Sequence, residues 1–225
     1  MLDKTKVALF DFCDTCVSFQ TANAFVEYAL SRYKVRWFLY VLFKIIDKTK
    51  LISAFYYCFI SHGASKRLPL LFLKGVGYGE LNQIAKDFYN ERLVPRFIVP
   101  IIDQLRERKR EGCTIIVVSG GYSIYINYFA KEFGVDNVIA NDIIFSNNKC
   151  MGKYNAECMG HNKVTQLGEI IPLDRIDKSL SWAYTDDKSD LPILELVQNP
   201  VVVSKNKEQE WVKKSGINNE IVYKF

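Results

Sequence analysis

Val7-Ala8-Leu9-Phe10-Asp11-Phe12-Cys13-Asp14-Thr15 is the stretch whose reading decides the fold. Four apolar residues run directly into an aspartate, and a short polar turn comes next. A brief, continuous apolar run of this kind predicts a strand buried on both faces of a parallel sheet. Open α/β sheets place their chemistry at the carboxyl ends of strands. Asp11, with Asp14 and Thr15 beside it, therefore stands where a site is expected. Taken alone, the nonapeptide is explained equally well as a strand running into a polar loop. Three more polar clusters, at strand ends or a helix start further along the chain, tip the balance.

After this strand the spacing turns helical, with Ala22, Phe25, Val26 and Ala29 on one face. Residues 33–60 are strongly aromatic and predict two helices of a compact bundle, possessing at most a membrane-facing side. Lys44, Asp47, Lys48 and Lys50 interrupt the segment, and neither apolar run approaches the ~20 residues of a membrane span. Two more helices are predicted at 64–74 and 79–93, divided by Gly75-Val76-Gly77, with Pro95 and Pro100 framing the return to the core. From there the chain alternates. Helices are expected at 101–111, 122–133, 162–171, 191–197 and 208–214. Strands are expected at 114–118, 138–140, 181–184 and 201–203, with a hairpin pairing 143–145 and 150–153. Alternating strands and helices predict an α/β fold: a doubly wound parallel, Rossmann-like sheet formed by residues 1–18 and 96–225. Residues 19–95 are then an inserted α-helical cap.

The 225 residues, 49% hydrophobic and 24% charged, suffice for a substantial core. Six scattered cysteines suggest reduced thiols, and only two histidines argue against a Cys/His zinc site. No apolar signal-like core precedes the first strand, so a cytoplasmic protein is expected. The net charge of +5 is uneven: residues 19–95 hold eleven Lys and Arg against five Asp and Glu, and the remainder holds nineteen against twenty. An anionic ligand or membrane surface accounts for this excess as well as a solvated basic helical face does. A near-neutral core without a recognition motif disfavours nucleic acid.

The four clusters are Asp11 with Asp14, Ser119 with Gly120, Lys163, and Asp186 with Asp190. Each supplies a part of phosphoryl transfer. A carboxylate can accept a phosphoryl group. A hydroxyl and N–H groups after a strand can hold phosphate oxygens. A lysine offsets charge on both partners, and further carboxylates suit magnesium.

In this order the clusters resemble the haloacid-dehalogenase superfamily of phosphatases, in the branch with a helical cap between its first two motifs. That branch includes phosphoserine phosphatases and some bacterial lipid-phosphate phosphatases. Phe10-Asp11-Phe12-Cys13-Asp14-Thr15, Val117-Val118-Ser119-Gly120-Gly121, Gly160-His161-Asn162-Lys163 and Tyr184-Thr185-Asp186-Asp187-Lys188-Ser189-Asp190 resemble its four motifs. The resemblance implies a phospho-aspartyl intermediate on Asp11. It implies magnesium held by Asp11, Asp186 and the main-chain carbonyl of Cys13, with Asp190 a ligand or an acid behind the ligands. Ser119, Gly120 and Lys163 would hold the phosphate.

Two departures stand out. Cys13 occupies the position where the family's phosphatases usually carry their acid/base aspartate, and Asp14 is its neighbour. A thiol with pKa near ~8.5 is a poor proton shuttle at neutral pH. Gln20 stands where phosphoserine phosphatases have a glutamate for the substrate ammonium, which argues against phosphoserine. Arg67 resembles a cap arginine that would hold an anionic part of the substrate. Two readings remain: a magnesium-dependent phosphatase for a small phosphorylated metabolite or lipid head group, or a degenerate relative that binds a phosphorylated ligand or partner with little turnover.

Overall fold

The computed structural model describes residues 4–49, 64–155 and 157–224. The first apolar run forms β1 (Val7–Phe10), and all four of its side chains are buried. Alternation sends Ala8 and Phe10 into one core layer and Val7 and Leu9 into the other. The remaining strands of the main sheet are β2 (Thr114–Tyr122), β3 (Asn137–Asn141), β6 (Trp182–Thr185), β7 (Asn199–Lys205) and β8 (Glu220–Tyr223). Their order is β3-β2-β1-β6-β7-β8, and every neighbouring pair is parallel. This is the doubly wound α/β sheet expected from the sequence. β4 (Ile143–Ser146) and β5 (Lys149–Tyr154) make the separate antiparallel hairpin.

Among the described residues, four α-helices lie within residues 19–95, between β1 and β2: α1 (Thr21–Leu30), α2 (Lys34–Ile46), α3 (Ala64–Leu71) and α4 (Tyr78–Phe88). The helix expected near 51–60 lies outside the described residues. α1 and α4 pack on the sheet's own helix α6 (Ser123–Phe133) through rings: Phe25 and Phe88 both meet Tyr125 edge-on or tilted, at centroid distances of 5.2 and 5.3 Å. The hairpin adds backbone ties, since Gly75 N–H donates to Cys150 O and Tyr78 N–H to Asn148 O. The inserted helices and the sheet therefore share one continuous apolar core.

Several boundaries differ from the expectation. The helix predicted over 79–93 ends at Phe88, and the chain continues through a wider turn (Tyr89–Leu93) and a tighter one (Val94–Arg96). Pro95, which has no N–H to donate, stands inside that transition. The helix predicted over 191–197 is only one turn, α8 (Leu191–Leu194). α5 (Val99–Arg110), α7 (His161–Ile170) and α9 (Glu210–Ser215) fall close to expectation. Ser119-Gly120-Gly121, expected to follow the strand, continues β2 with a register irregularity between Val118 and Tyr122. Asn141 at the end of β3 holds it extended by donating Nδ2–H to Gly120 O at 2.9 Å. β8 was not foreseen: it has four residues, and its pattern is too short to stand out.

Candidate active site

The site gathers at the carboxyl end of β1 and β6. Phe10 and Tyr184 lie opposite each other in these strands with rings stacked at 4.4 Å. Asp11 N–H then donates to Tyr184 O, so Asp11 leaves the sheet at a fixed height. The chain turns at once. Cys16 N–H and Val17 N–H both return to Phe12 O, and Asp14 takes a left-handed φ of 52°, which an aspartate tolerates.

Lys163 arrives from the first turn of α7. That helix begins after Gly160, whose φ of 51° an L side chain rarely adopts. The lysine is 4% exposed, and its Nζ lies 2.9 Å from Asp11 Oδ1 and 2.5 Å from Asp190 Oδ2. Thr185 Oγ1–H donates to the same Asp190 oxygen at 2.8 Å. Asp186 accepts from Thr15 Oγ1–H at 3.2 Å. Burial works against the lysine's charge, but Asp11 and Asp190 outweigh it and raise its pKa, so it remains an ammonium. Asp11 is raised above the ordinary carboxylate range: burial dominates, Lys163 opposes it and Asp190 adds repulsion. Asp186 is pushed up to about 8 by burial and by the charges of Asp11, Asp14 and Asp187.

One lysine thus faces more carboxylate charge than it can neutralise, the condition a bound dication relieves. Among the described residues no three His, Cys, Asp or Glu side chains form a metal cage. Magnesium needs none: it takes one or two carboxylates and keeps waters or phosphate oxygens in its other positions. The donor chemistry of Asp11, Asp186 and a backbone carbonyl fits it.

Asp11, Cys13, Gln20, Gly120, Lys163 and Asp186 line one small cavity of about 60 Å³, with Asp190 also in its wall. That is room for about two waters, or a phosphoryl group, and not for a whole ester. Larger hollows of about 410, 450 and 530 Å³ lie elsewhere and hold no such convergence of acids and lysine. Ser119 is fully buried behind the cavity; its Oγ accepts from Gly121 N–H at 3.0 Å and stands 4.0 Å from Cys13 Sγ. Asp14 is not in the wall, because Gln20 Nε2–H holds its Oδ2 at 2.8 Å. Arg67 belongs to α3, but its side chain lies outside the described residues.

The structure adds residues the sequence did not single out. Cys13 Sγ is 3.0 Å from Thr21 Oγ1, which is 2.6 Å from Tyr125 Oη, and that oxygen accepts from Tyr122 N–H. Asn141 Oδ1 accepts from Cys158 N–H while its amide holds Gly120, tying the β2 end to the segment before α7. Asn141 carried a faint signal, a polar residue closing a strand. Tyr125 carried none, since a tyrosine on an apolar helix face reads as core.

Comparison with known proteins identifies relatives of the chain. A family model described as haloacid dehalogenase-like hydrolase matches residues 8–195. A probable phosphatase of Mycobacterium tuberculosis (strain ATCC 25618 / H37Rv) is 23% identical over 130 residues, covering 58% of this chain and 45% of that protein. The chain spans about half the length of such relatives. A protein of unknown function from Bordetella pertussis Tohama I superposes with a TM-score of 0.77 at 19% identity, covering 97% and 98% of the two chains. A structure of a phospho-aspartyl intermediate analogue of phosphoserine phosphatase gives 0.61 at 19% identity, covering 97% and 94%. At these identities the solved structures show a shared fold.

Proposed function

The chain belongs to the haloacid dehalogenase-like hydrolases, and from that premise we propose that it hydrolyses phosphate esters with magnesium, through a phosphoryl group carried on Asp11. The observation that supports this best is the single buried Lys163 shared by Asp11 and Asp190 beside the raised Asp186. In this reading residues 1–18 and 96–225 are the catalytic core and residues 19–95 the cap. The substrate is a small phosphorylated metabolite or a lipid head group. The cavity takes its phosphoryl end, and the organic part extends outward past Gln20.

A carboxylate oxygen of Asp11 attacks phosphorus, and the bond from phosphorus to the ester oxygen breaks. The leaving oxygen takes a proton from solvent, which the water of the next step returns. Water then attacks the phosphorus of the aspartyl phosphate, the bond to Asp11 breaks, and inorganic phosphate departs with the carboxylate regenerated. Lys163 holds Asp11 in place and offsets phosphate charge. Asp190, fixed by Thr185, holds the lysine, which makes it a positioning residue in this reading rather than a ligand. Asp11, Asp186 and the Cys13 carbonyl would hold magnesium, which would supply electrostatic stabilisation of the negative oxygens.

The second reading, a ligand-binding relative with little turnover, is favoured by Cys13, whose thiol faces Thr21 where an acid would serve better. Hydrolysis of an aryl phosphate separates the two. The phosphatase reading expects release of the phenol that stops with a chelator and with Asp11→Asn. Turnover insensitive to both refutes the mechanism, and phosphate binding without turnover favours the second reading.

A further inference from the structure

α2 presents its faces in the opposite sense from an ordinary surface helix. Its docked side is polar and aromatic. Tyr40 Oη–H donates to Glu27 Oε1 at 3.1 Å, and Lys44 Nζ lies 2.8 Å from the same oxygen. Arg36 donates to the carbonyl oxygens of Phe72 and Lys74 at 3.1 and 2.9 Å. Tyr40 is the helix's only buried residue. The outward side is apolar: Val35, Phe38, Leu39, Leu42, Ile45 and Ile46 are exposed, at 74, 67, 49, 42, 64 and 58%. At 100° per residue these six positions fall within an arc of about 120°. A helix on a soluble core turns such a stripe inward. Among the described residues it faces away and forms one contiguous patch rather than scattered residues.

Charge says what would cover it. α2 has three basic residues and no acidic one, and exposed Lys34 and Lys48 stand near its two ends. The helix lies in the segment carrying the chain's whole positive excess. An apolar stripe with basic residues alongside is the composition of a helix lying in a bilayer interface beside anionic lipid. At thirteen residues it is about 20 Å long, and no helix among the described residues is long and apolar enough to cross a membrane. We infer that α2 docks the protein, parallel to the surface, onto a bilayer containing anionic phospholipid. The same layout links docking to the site. α1 touches α2 through Glu27 and begins at Thr21 beside Cys13, so the helix that rests on the docked element also borders the catalytic turn.

The inference does not depend on the hydrolase reading, because binding is read without turnover. The whole protein is sedimented with vesicles of phosphatidylcholine alone and with phosphatidylglycerol added. The expected result is co-sedimentation that requires phosphatidylglycerol, weakens with salt, and falls about tenfold in Phe38→Glu and in Ile45→Glu. Lys34→Gln should lower it about fivefold. A tryptophan placed in the stripe by Leu42→Trp should be quenched by lipids with brominated acyl chains, and more strongly than Trp37, which lines a hollow with Glu27 and Phe88 on the protein side of α2. Hydrolysis of a soluble aryl phosphate without vesicles should be the same in Phe38→Glu as in the parent. Failure to sediment, or sedimentation unchanged by both glutamate variants, overturns the inference. So does a lipid-free dimer that Phe38→Glu converts to monomer, which would assign the stripe to a second copy. A loss of several degrees in Tm in lipid-free Phe38→Glu also overturns it, since another part of this chain would then cover the stripe.

Discussion

Cys13→Asp should raise turnover of alkyl phosphates. The thiol lies in the cavity wall beside Asp11, 3.0 Å from Thr21 Oγ1 and 4.0 Å from Ser119 Oγ. An aspartate is only slightly larger, and both hydroxyls are within reach as donors, so the carboxyl enters with partners rather than as an unsatisfied charge. At 7% exposure its pKa should be raised toward neutrality, which suits a group that gives and then takes a proton. A positioned acid/base contributes ~10²–10⁴-fold. The Thr21 hydroxyl is already engaged by Tyr125 at 2.6 Å, so the new carboxyl should be imperfectly placed and gain about tenfold in kcat, below that range. Aryl phosphates, whose leaving groups need little protonation, should gain about threefold or less. The assay is steady-state kinetics on a matched alkyl and aryl pair at saturating magnesium, with Asp14→Asn measured alongside. Because Gln20 holds Asp14 out of the cavity wall, Asp14→Asn should cost less than about tenfold, short of a lost acid/base. No gain from Cys13→Asp together with abolished turnover in Asp14→Asn would refute this reasoning and make Asp14 the acid/base.

Three further outcomes are expected. Asp186 titrates near ~3.9 in the unfolded chain and at about 8 in the metal-free fold. The fold therefore binds the extra proton, and its stabilisation is complete below pH ~4 and lost as pH rises through about 8. Metal-free Tm should fall from pH 5 to pH 8, and magnesium should raise Tm more at pH 8. Asp186→Asn should flatten the metal-free profile, and a profile unchanged by it would contradict the assignment. Asp190→Asn keeps the shape but removes one charge-assisted bond to Lys163, worth ~1.5–3 kcal/mol, so kcat should drop roughly 10–100-fold with little change in KM; an unchanged kcat would make Asp190 a bystander. Finally, a Cβ at Gly121 would sit 2.6 Å from Tyr125 Oη and 3.0 Å from Thr21 Oγ1. Gly121→Ala should cost about 1–3 kcal/mol, measured by denaturant unfolding, and adding Tyr125→Phe should restore part of it because the obstructing atom is the hydroxyl.

The amino-acid sequence by itself determined the parallel sheet and pointed to Asp11, Lys163, Asp186 and Asp190 as groups that could meet at its carboxyl edge. Short apolar runs ending in Asp11, Ser119 and Asp186 can be satisfied together only as adjacent parallel strands. The carboxyl ends of such strands necessarily meet, and this brings residues 150 or more positions apart into one cavity. Tertiary structure decided what each group does there. Lys163 could have faced solvent; its link to both Asp11 and Asp190 depends on the angle at which α7 leaves Gly160. Cys13 and Asp14 are neighbours in a turn, and only the left-handed step at Asp14 and the reach of Gln20 separate one into the cavity wall and the other out of it. The same limit applied at α2. The sequence marked its segment as helical, aromatic and basic, but composition cannot say which face docks. Glu27 and the carbonyls of Phe72 and Lys74 took the polar face because a buried donor must find an acceptor, and that left the apolar stripe outside.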